Sequence, residues 1–370
     1  MLTPIQLLKI DLMTHGLTIG EAAREELQGV GAVKRPLTLA DYASTSGVSM
    51  RLDGDNWVNA PIVDFNPNFV TQPAAQLVWE SEGFLVRGGG IDVRAEPVPV
   101  PAYHDQLNAS GEKYTSYAIT HTDRVRISPV QGCAITCQFC DLPYEYKYAT
   151  KRVDGLVDSV GCAVRDQRLA AQHVLISGGT PRPEDYPYLN EVYDRTCAAF
   201  PGLAVDVMMV PMPGLLDPAR LKAAGVHGLS INLELYSEER AKTVMTGKAK
   251  IPRQSVLDFI DGAVNVFGPG RVRSLLMLGL EPLEDTLRGV RCLAERGCDP
   301  VLSPFRPDPS TPLKALLPPG TDLLVAAYEA ARDIVAEYPE VRLGPRCIPC
   351  HHNTLTFPDG TDAYYYSHAV

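Results

Sequence analysis

Residues 124–140 have the sequence Arg-Val-Arg-Ile-Ser-Pro-Val-Gln-Gly-Cys-Ala-Ile-Thr-Cys-Gln-Phe-Cys, a short strand-like run followed by a loop with three cysteines. The spacing of Cys133, Cys137 and Cys140 is C-x3-C-x2-C. Three thiolates on one short loop can hold three irons of a cubane cluster and leave the fourth iron without a protein ligand. Structural zinc normally has four ligands, and no fourth partner lies close in sequence. The spacing therefore favours an iron–sulfur cluster over zinc or coincidental thiols.

From this point onward the sequence alternates between strand-like runs and helical patterns. Strands are predicted at 125–127, 173–177, 204–210, 228–233, 272–279 and 300–304. Helices are predicted at 154–167, 184–200, 217–224, 254–267, 283–295 and 322–337. Such alternation indicates parallel strands joined by right-handed crossovers. Six units rather than eight predict an α/β fold with a partial (β/α)6 TIM-type barrel, whose reactive groups lie at the C-terminal ends of the strands.

The sequence on either side of these units predicts two accessory regions. Residues 1–123 combine a helical pattern at 2–27 with short apolar runs, two of which are separated by Gly88-Gly89-Gly90 as in a hairpin. We therefore predict an N-terminal strand-containing accessory region at 1–123, the barrel at 124–312 and a C-terminal extension at 313–370.

Composition and charge exclude several classes of protein. The 370 residues are 45% hydrophobic and 21% charged, which is globular composition rather than that of a disordered chain. The net charge is −10, and no basic patch with interleaved aromatics is visible, so we expect no nucleic-acid partner. No apolar run approaches about 18 residues and no signal peptide is recognisable, so we expect no membrane partner and a cytoplasmic location. The nine cysteines do not suggest a disulfide framework.

The cysteine loop, with Phe139 before its last cysteine, resembles the radical S-adenosylmethionine (radical SAM) superfamily, and the resemblance extends over about residues 124–312. It implies a [4Fe-4S] cluster bound by Cys133, Cys137 and Cys140, whose open iron takes the amino and carboxylate groups of S-adenosylmethionine. It also implies reductive cleavage of this cofactor to methionine and a 5′-deoxyadenosyl radical. The electron would come from a partner such as flavodoxin or ferredoxin.

Further segments resemble the biotin synthase and lipoyl synthase group. Ser177-Gly178-Gly179-Thr180 is similar to the Gly-Gly-Glu element that binds the methionyl amino group, although threonine replaces the acidic residue. The resemblance places Asn232 and Glu234 at the ribose hydroxyls and Gly279 beside the adenine. For Asn232 and Glu234 the alternative is a solvated strand end.

Three basic residues have two interpretations each. Lys248 and Arg253 follow the fourth strand, where relatives place a cation on the S-adenosylmethionine carboxylate, but exposed Lys and Arg are common. Arg306, at the end of the predicted sixth strand, is expected to bind a carboxylate or phosphate of the substrate, or else to form a structural ion pair.

A second cysteine group, Cys347-Ile-Pro-Cys350-His351-His352, lies near the C-terminus. We predict a metal site with Cys347, Cys350 and His351, with His352 and Arg346 as other local candidates for a third ligand. An auxiliary iron–sulfur cluster is favoured over a small zinc site, a redox dithiol or structural thiols.

The predicted function is hydrogen abstraction from a small-molecule substrate by the 5′-deoxyadenosyl radical. Sulfur insertion or sulfur-for-oxygen replacement at an auxiliary cluster is the favoured outcome, although the N-terminal cysteine triplet of lipoyl synthase is absent. Epimerisation, dehydrogenation, rearrangement and aminocarboxypropyl transfer are the alternatives. The non-enzymatic alternative is a zinc-stabilised binding module.

Overall fold

The structure is a computed structural model that describes residues 2–29 and 47–358. Residues 30–46 of the predicted N-terminal region and 359–370 of the predicted C-terminal extension lie outside the described residues. Within the described ranges, no helix is both long and apolar enough to cross a membrane.

The N-terminal part forms a sheet with strand order β1-β4-β5-β6-β2-β3. Its elements are α1 (Pro4–His15), β1 (Leu17–Ile19), α2 (Glu21–Gly29), β2 (Gly47–Leu52), β3 (Asn56–Pro61), β4 (Ala75–Glu80), β5 (Gly83–Gly88) and β6 (Ile91–Pro97). The predicted hairpin is β5 and β6, which pair antiparallel around Gly89 and Gly90, both at positive φ. The predicted helical run at 2–27 is broken at Gly16, whose φ of 68° and close approach to Pro61 O end α1 there.

The rest of the described chain is built around a second, seven-stranded sheet. Its elements are β7 (Ala118–His121), β8 (Arg124–Ile127), β9 (Val130–Gln131), α3 (Leu142–Glu145), β10 (Ala149–Thr150), α4 (Val153–Val164), β11 (His173–Ser177), α5 (Tyr186–Ala199), β12 (Ala204–Met208), α6 (Pro218–Ala224), β13 (Gly228–Ser230), α7 (Glu238–Val244), α8 (Arg253–Phe267), β14 (Val272–Leu278), α9 (Leu283–Ala294), β15 (Asp299–Pro304) and α10 (Thr321–Val335). The strand order of the seven-stranded sheet is β15-β14-β13-β12-β11-β8-β7, and β9 and β10 form a separate antiparallel pair. Neighbouring strands from β8 to β15 pair in parallel, and β7 joins β8 antiparallel. The predicted α/β class is confirmed.

Helices between the parallel strands bury one apolar face against the sheet. In α8 the buried side chains follow the 3.6-residue period expected of an amphipathic helix; they are Val256, Leu257, Ile260, Ala263 and Phe267. β7 was not predicted, and it extends the sheet into the region that the sequence assigned to the accessory part. β13 is shorter than the predicted run at 228–233, because the Ser274 and Asn232 side chains accept the hydrogen bonds of Leu233 N and Leu275 N in place of ladder carbonyls.

The chain returns to the sheet after α10. Gly344 N donates to Pro300 O at 2.8 Å and Leu355 N donates to Leu302 O at 2.8 Å, so the segment 344–355 begins and ends at β15. Within this segment Ile348–Asn353 forms a short 3-10 helix. The buried ammonium of Lys9 in α1 donates to the carbonyl oxygens of His351 and Thr356, which ties the two ends of the described chain together.

Candidate active site

The cysteine loop follows β8 and rests on the loop that follows β11. Thr180 N donates to Cys133 Sγ at 3.1 Å, and Ala134 N donates to Thr180 O at 2.9 Å. The two loops approach so closely that a Cβ on Gly179 would lie 1.7 Å from Gly132 O. The Ser177–Thr180 segment is therefore built around a backbone contact with the cysteine loop, which glycine alone permits at this distance.

The other side of the cysteine loop is held by the region around α7. Gln138 donates its backbone N–H to Val244 O at 2.8 Å and its side-chain amide to Thr243 O at 2.9 Å. Gly247 N donates to Thr136 O at 3.2 Å. Phe139 packs with Cys137 against a small apolar cluster that includes Met245. Contacts on both sides thus fix the positions from which the three thiols project.

The three thiols are half-buried and free. Burial raises the pKa of Cys137 to about 12, an effect that the nearby Lys248 ammonium opposes, and burial also raises the pKa of Cys140. Neutral thiols become ligands only when a metal displaces their protons. Three cysteine side chains on one loop are a donor set that fits a [4Fe-4S] cluster, because such clusters take thiolate ligands.

Glu234 and Lys248 form an ion pair beside this loop. Glu234 Oε1 lies 3.4 Å from Lys248 Nζ, and both side chains are largely buried. Glu234 has a φ of 67°, which is unusual for a residue with a side chain and typical of functional positions. Both charges influence the pKa of Cys137. Asn232 is not a solvated strand end, because its carboxamide oxygen accepts from Leu275 N and Ser230 Oγ.

A cavity of about 310 Å³ adjoins the ion pair, lined by residues that include Asn232, Lys248 and Arg253. Arg253 Nη1 donates to Tyr236 O at 2.7 Å and its guanidinium lies 4.4 Å from the centroid of the Tyr236 ring. Gly279 has a φ of 98°, and a Cβ there would lie 2.9 Å from Pro319 Cδ. The structure therefore places Lys248 and Asn232 at one cavity, holds Arg253 through Tyr236, and packs Gly279 against Pro319.

Arg306 follows β15 and is buried against the N-terminal sheet. Its Nη1 donates to Asn59 O at 3.1 Å and to Asn59 Oδ1 at 3.3 Å. Burial lowers the pKa of Arg306 to about 9. The partners of Arg306 shown here are thus an uncharged side-chain amide and a backbone carbonyl, and not the carboxylate expected of a structural ion pair. These hydrogen bonds orient the guanidinium without neutralising its charge.

Two further charged residues near the cysteine loop were not singled out from the sequence. Asp141 is buried, and burial together with the neighbouring Asp308 raises its pKa to about 6. Lys151 has its pKa lowered to about 8 by burial and by the charge of Arg126.

The second cysteine group lies beside a histidine other than the one predicted as its neighbour in a metal site. Cys347 and Cys350 have their sulfurs 2.9 Å apart, and Cys347 Sγ lies 3.4 Å from His173 Nε2. His173, Cys347 and Cys350 form the described group whose ligand atoms all lie within 4.8 Å of one another. His351, predicted as a ligand, instead faces Pro345, with Nε2 2.9 Å from the carbonyl oxygen. His173 was missed because it lies 174 residues away in the sequence.

The two cysteine groups lie at opposite ends of the sheet. His173 begins β11 and Ser177 ends it, next to the segment that contacts Cys133. Four residue steps at about 3.3 Å each separate these positions by about 13 Å. The Cys347–Cys350 pair is consequently at the N-terminal ends of the parallel strands, away from the C-terminal ends where the cysteine loop lies.

Comparison with known proteins gives one partial sequence match and several solved structures that are similar to part of the chain. No protein-family model matches the chain. Bacteriochlorophyllide c C-7(1)-hydroxylase from Chlorobaculum limnaeum is 29% identical over 138 residues, which cover 37% of this chain and 34% of that enzyme. The match thus spans about a third of the length of this curated relative.

The similar solved structures share low sequence identity with the chain. The FeFe-hydrogenase maturase HydG from Carboxydothermus hydrogenoformans is 18% identical, with a TM-score of 0.47 over 62% of this chain and 55% of that one. Streptococcus suis SuiB bound to S-adenosylmethionine is 14% identical, with a TM-score of 0.46 over 61% and 51%. A radical SAM methyltransferase from Sphaerobacter thermophilus is 15% identical, with a TM-score of 0.48 over 72% and 78%.

Proposed function

We propose that the chain is a radical SAM enzyme that abstracts hydrogen from a small-molecule substrate. The observation that carries this proposal is the C-x3-C-x2-C loop at the C-terminal end of the first parallel strand, in backbone contact with the Ser177–Thr180 segment. In open α/β architectures, reactive groups gather at these strand ends. The six parallel strands β8, β11, β12, β13, β14 and β15 would form the partial (β/α)6 barrel around the active site.

The cysteine thiolates would hold the [4Fe-4S] cluster through Cys133, Cys137 and Cys140. When bound, such a cluster supplies the electron that cleaves S-adenosylmethionine to methionine and a 5′-deoxyadenosyl radical. Lys248 and Glu234, paired at 3.4 Å beside Cys137, offer one cation and one anion for the carboxylate and hydroxyl groups of the cofactor. In place of the family's acidic residue, Thr180 offers its hydroxyl.

The other proposed contacts with S-adenosylmethionine come from residues in and around the cavity beside the Glu234–Lys248 ion pair. Asn232 and Arg253 line the same cavity as Lys248, which supports their proposed roles at the ribose and carboxylate. Phe139 would shield the cluster, and Gly279 would border the adenine.

Nine free cysteines suit a reducing cytoplasmic compartment. Flavodoxin or ferredoxin is the proposed electron donor.

The substrate is proposed to carry a carboxylate or phosphate that Arg306 recognises. Asn59 orients the Arg306 guanidinium and leaves its charge uncompensated, which suits bidentate recognition of an anion.

Sulfur insertion would need a sulfur source within reach of the substrate at the C-terminal strand ends. The Cys347–Cys350 pair contacts His173 at the other end of β11, so its position does not favour that outcome. Hydroxylation of a C–H bond is the second candidate, supported by the partial match to a hydroxylase. Epimerisation, dehydrogenation, rearrangement and aminocarboxypropyl transfer are the other reactions that product analysis would distinguish.

The proposal is tested by anaerobic reconstitution with iron and sulfide, followed by electron paramagnetic resonance of the reduced protein with and without S-adenosylmethionine. We expect a cluster signal that changes when the cofactor is added. Cys140→Ala should abolish this change, whereas Cys162→Ala, at a half-buried helix position away from the loop, should keep it. Zinc in place of iron at Cys133, Cys137 and Cys140 would instead support the binding-module alternative.

A further inference from the structure

The segment 344–355, which we call the closing segment, bridges the two edges of the seven-stranded sheet. The edge strands in the strand order are β7 and β15. Three hydrogen bonds join the closing segment to β15. Gly344 N donates to Pro300 O, Leu355 N donates to Leu302 O, and Ser303 Oγ donates to Asn353 O. At β7 the ring centroid of His352 lies 4.0 Å from the ring centroid of His121.

Between these two attachments the closing segment presents Cys347 and Cys350 to the start of β11. Cys347 Sγ lies 3.4 Å from His173 Nε2 and 2.9 Å from Cys350 Sγ. Cys347 is 5% exposed and His173 is 1% exposed. Three soft or borderline donor atoms from distant parts of the sequence therefore converge at one buried point.

Two neighbouring charges complete this arrangement. Asp123 Oδ1 lies 3.8 Å from His173 Nδ1, the ring nitrogen that faces away from the sulfurs. Metal-bound histidines commonly have a carboxylate at their second nitrogen, which fixes the ring orientation. Arg124 Nη1 donates to Cys350 Sγ at 2.9 Å, and such a contact stabilises the thiolate form of a cysteine.

We infer that His173, Cys347 and Cys350 bind a single zinc ion that fastens the closing segment to the start of the sheet. Around one tetrahedral zinc, a sulfur and a nitrogen lie about 3.5 Å apart and two sulfurs about 3.8 Å apart, because Zn–S and Zn–N bonds are about 2.3 Å and 2.0 Å long. Cys347 Sγ and His173 Nε2 already have this spacing at 3.4 Å. The two sulfurs, 2.9 Å apart, would move apart by about 0.9 Å on binding zinc. Binding would release the thiol protons and contribute to folding. These three residues would supply three of the four ligands that zinc usually takes. The inference does not depend on the proposed function, since the site is distant from the cysteine loop.

The experiment uses the full-length chain with Cys133→Ala, Cys137→Ala and Cys140→Ala, so that iron on the cysteine loop does not obscure the second site. This triple variant is purified anaerobically from zinc-supplemented medium, and its metals are counted by mass spectrometry. We expect one zinc per chain. Cobalt(II) exchanged for the zinc should give the thiolate-to-metal charge-transfer absorption that a Cys2His site produces.

Two histidine variants in the same background identify the third ligand. His173→Ala should weaken zinc binding at least tenfold, whereas His351→Ala should leave it unchanged because its ring faces Pro345. If the Cys347→Ser/Cys350→Ser variant fails to fold, the cobalt spectrum of the triple variant still decides whether thiolates bind the metal. Retention of zinc in His173→Ala with its loss in His351→Ala would overturn the assignment of His173.

Two other outcomes would overturn the zinc site itself. About four irons on the triple variant, in place of zinc, would show an auxiliary cluster at Cys347 and Cys350. A mass lower by two hydrogens under anaerobic conditions, restored by a thiol reductant, would show a redox disulfide between these cysteines.

Discussion

Replacing Gly179 by alanine should disturb the cysteine loop without touching a thiol. The new Cβ would lie 1.7 Å from Gly132 O and 2.8 Å from Cys133 Cα, whereas ordinary contacts begin at about 3.4 Å. The two loops must therefore separate by about 1.7 Å. Both contacts are with backbone, which cannot rotate away, and the separation would break the 3.1 Å hydrogen bond from Thr180 N to Cys133 Sγ.

Overpacking of this kind costs about 1–3 kcal/mol of unfolding free energy. Urea unfolding of the apoprotein measures this loss, and the iron content after reconstitution measures the effect on the cluster. Gly202→Ala is the matched control, because a Cβ there has nothing within 4 Å. Equal stability and equal iron content in Gly179→Ala and Gly202→Ala would refute the close contact between the loops.

Three other predictions concern buried charges. Lys248→Met should weaken S-adenosylmethionine binding at least about tenfold, since it leaves Glu234 buried and unpaired; equilibrium dialysis that shows unchanged affinity would count against the proposed cofactor contacts. Burial lowers the pKa of Lys9 to about 7, so between pH 7 and about 10 the unfolded chain binds more protons than the folded chain. The free energy of unfolding should therefore rise with pH over that range. Lys9→Met should remove this rise, and the same pH dependence of the unfolding free energy in both proteins would contradict it. Although burial raises the pKa of Asp206, Arg273 at 2.9 Å holds it below its usual range. This pair should therefore stabilise the protein above pH 4 and lose its effect in acid, and Asp206→Asn should cost about 3–5 kcal/mol by urea unfolding at pH 7; a loss below 1 kcal/mol would disagree.

The regular parts of the fold were predictable because their sequence patterns are local. The strand β11 (His173–Ser177) was predicted with its observed bounds, and α8 differs from its prediction by one residue. The apolar stripe of a helix and the short runs of buried parallel strands depend only on neighbouring residues. The same locality identified the cysteine loop, since its three cysteines lie within eight residues.

The features that were missed depend on contacts between distant residues. His173 has no sequence signal that links it to Cys347, because only the return of the chain along β15 brings them together. The hydrogen bonds from Arg306 to Asn59 of the N-terminal sheet were missed for the same reason, because the two residues lie 247 positions apart in the sequence. The strand β7 was overlooked because its pairing with β8 reverses the parallel pattern that the following units suggest.

The most direct test of the central claim is the amount of 5′-deoxyadenosine formed from S-adenosylmethionine by the reconstituted protein after reduction with dithionite. The wild type should form this product, and the Cys133→Ala/Cys137→Ala/Cys140→Ala variant should form none, while Cys162→Ala should match the wild type. Product formation by the triple variant at the wild-type rate would contradict the assignment of the cysteine loop. Absence of product from the wild type with four irons bound would contradict the proposed cleavage of S-adenosylmethionine.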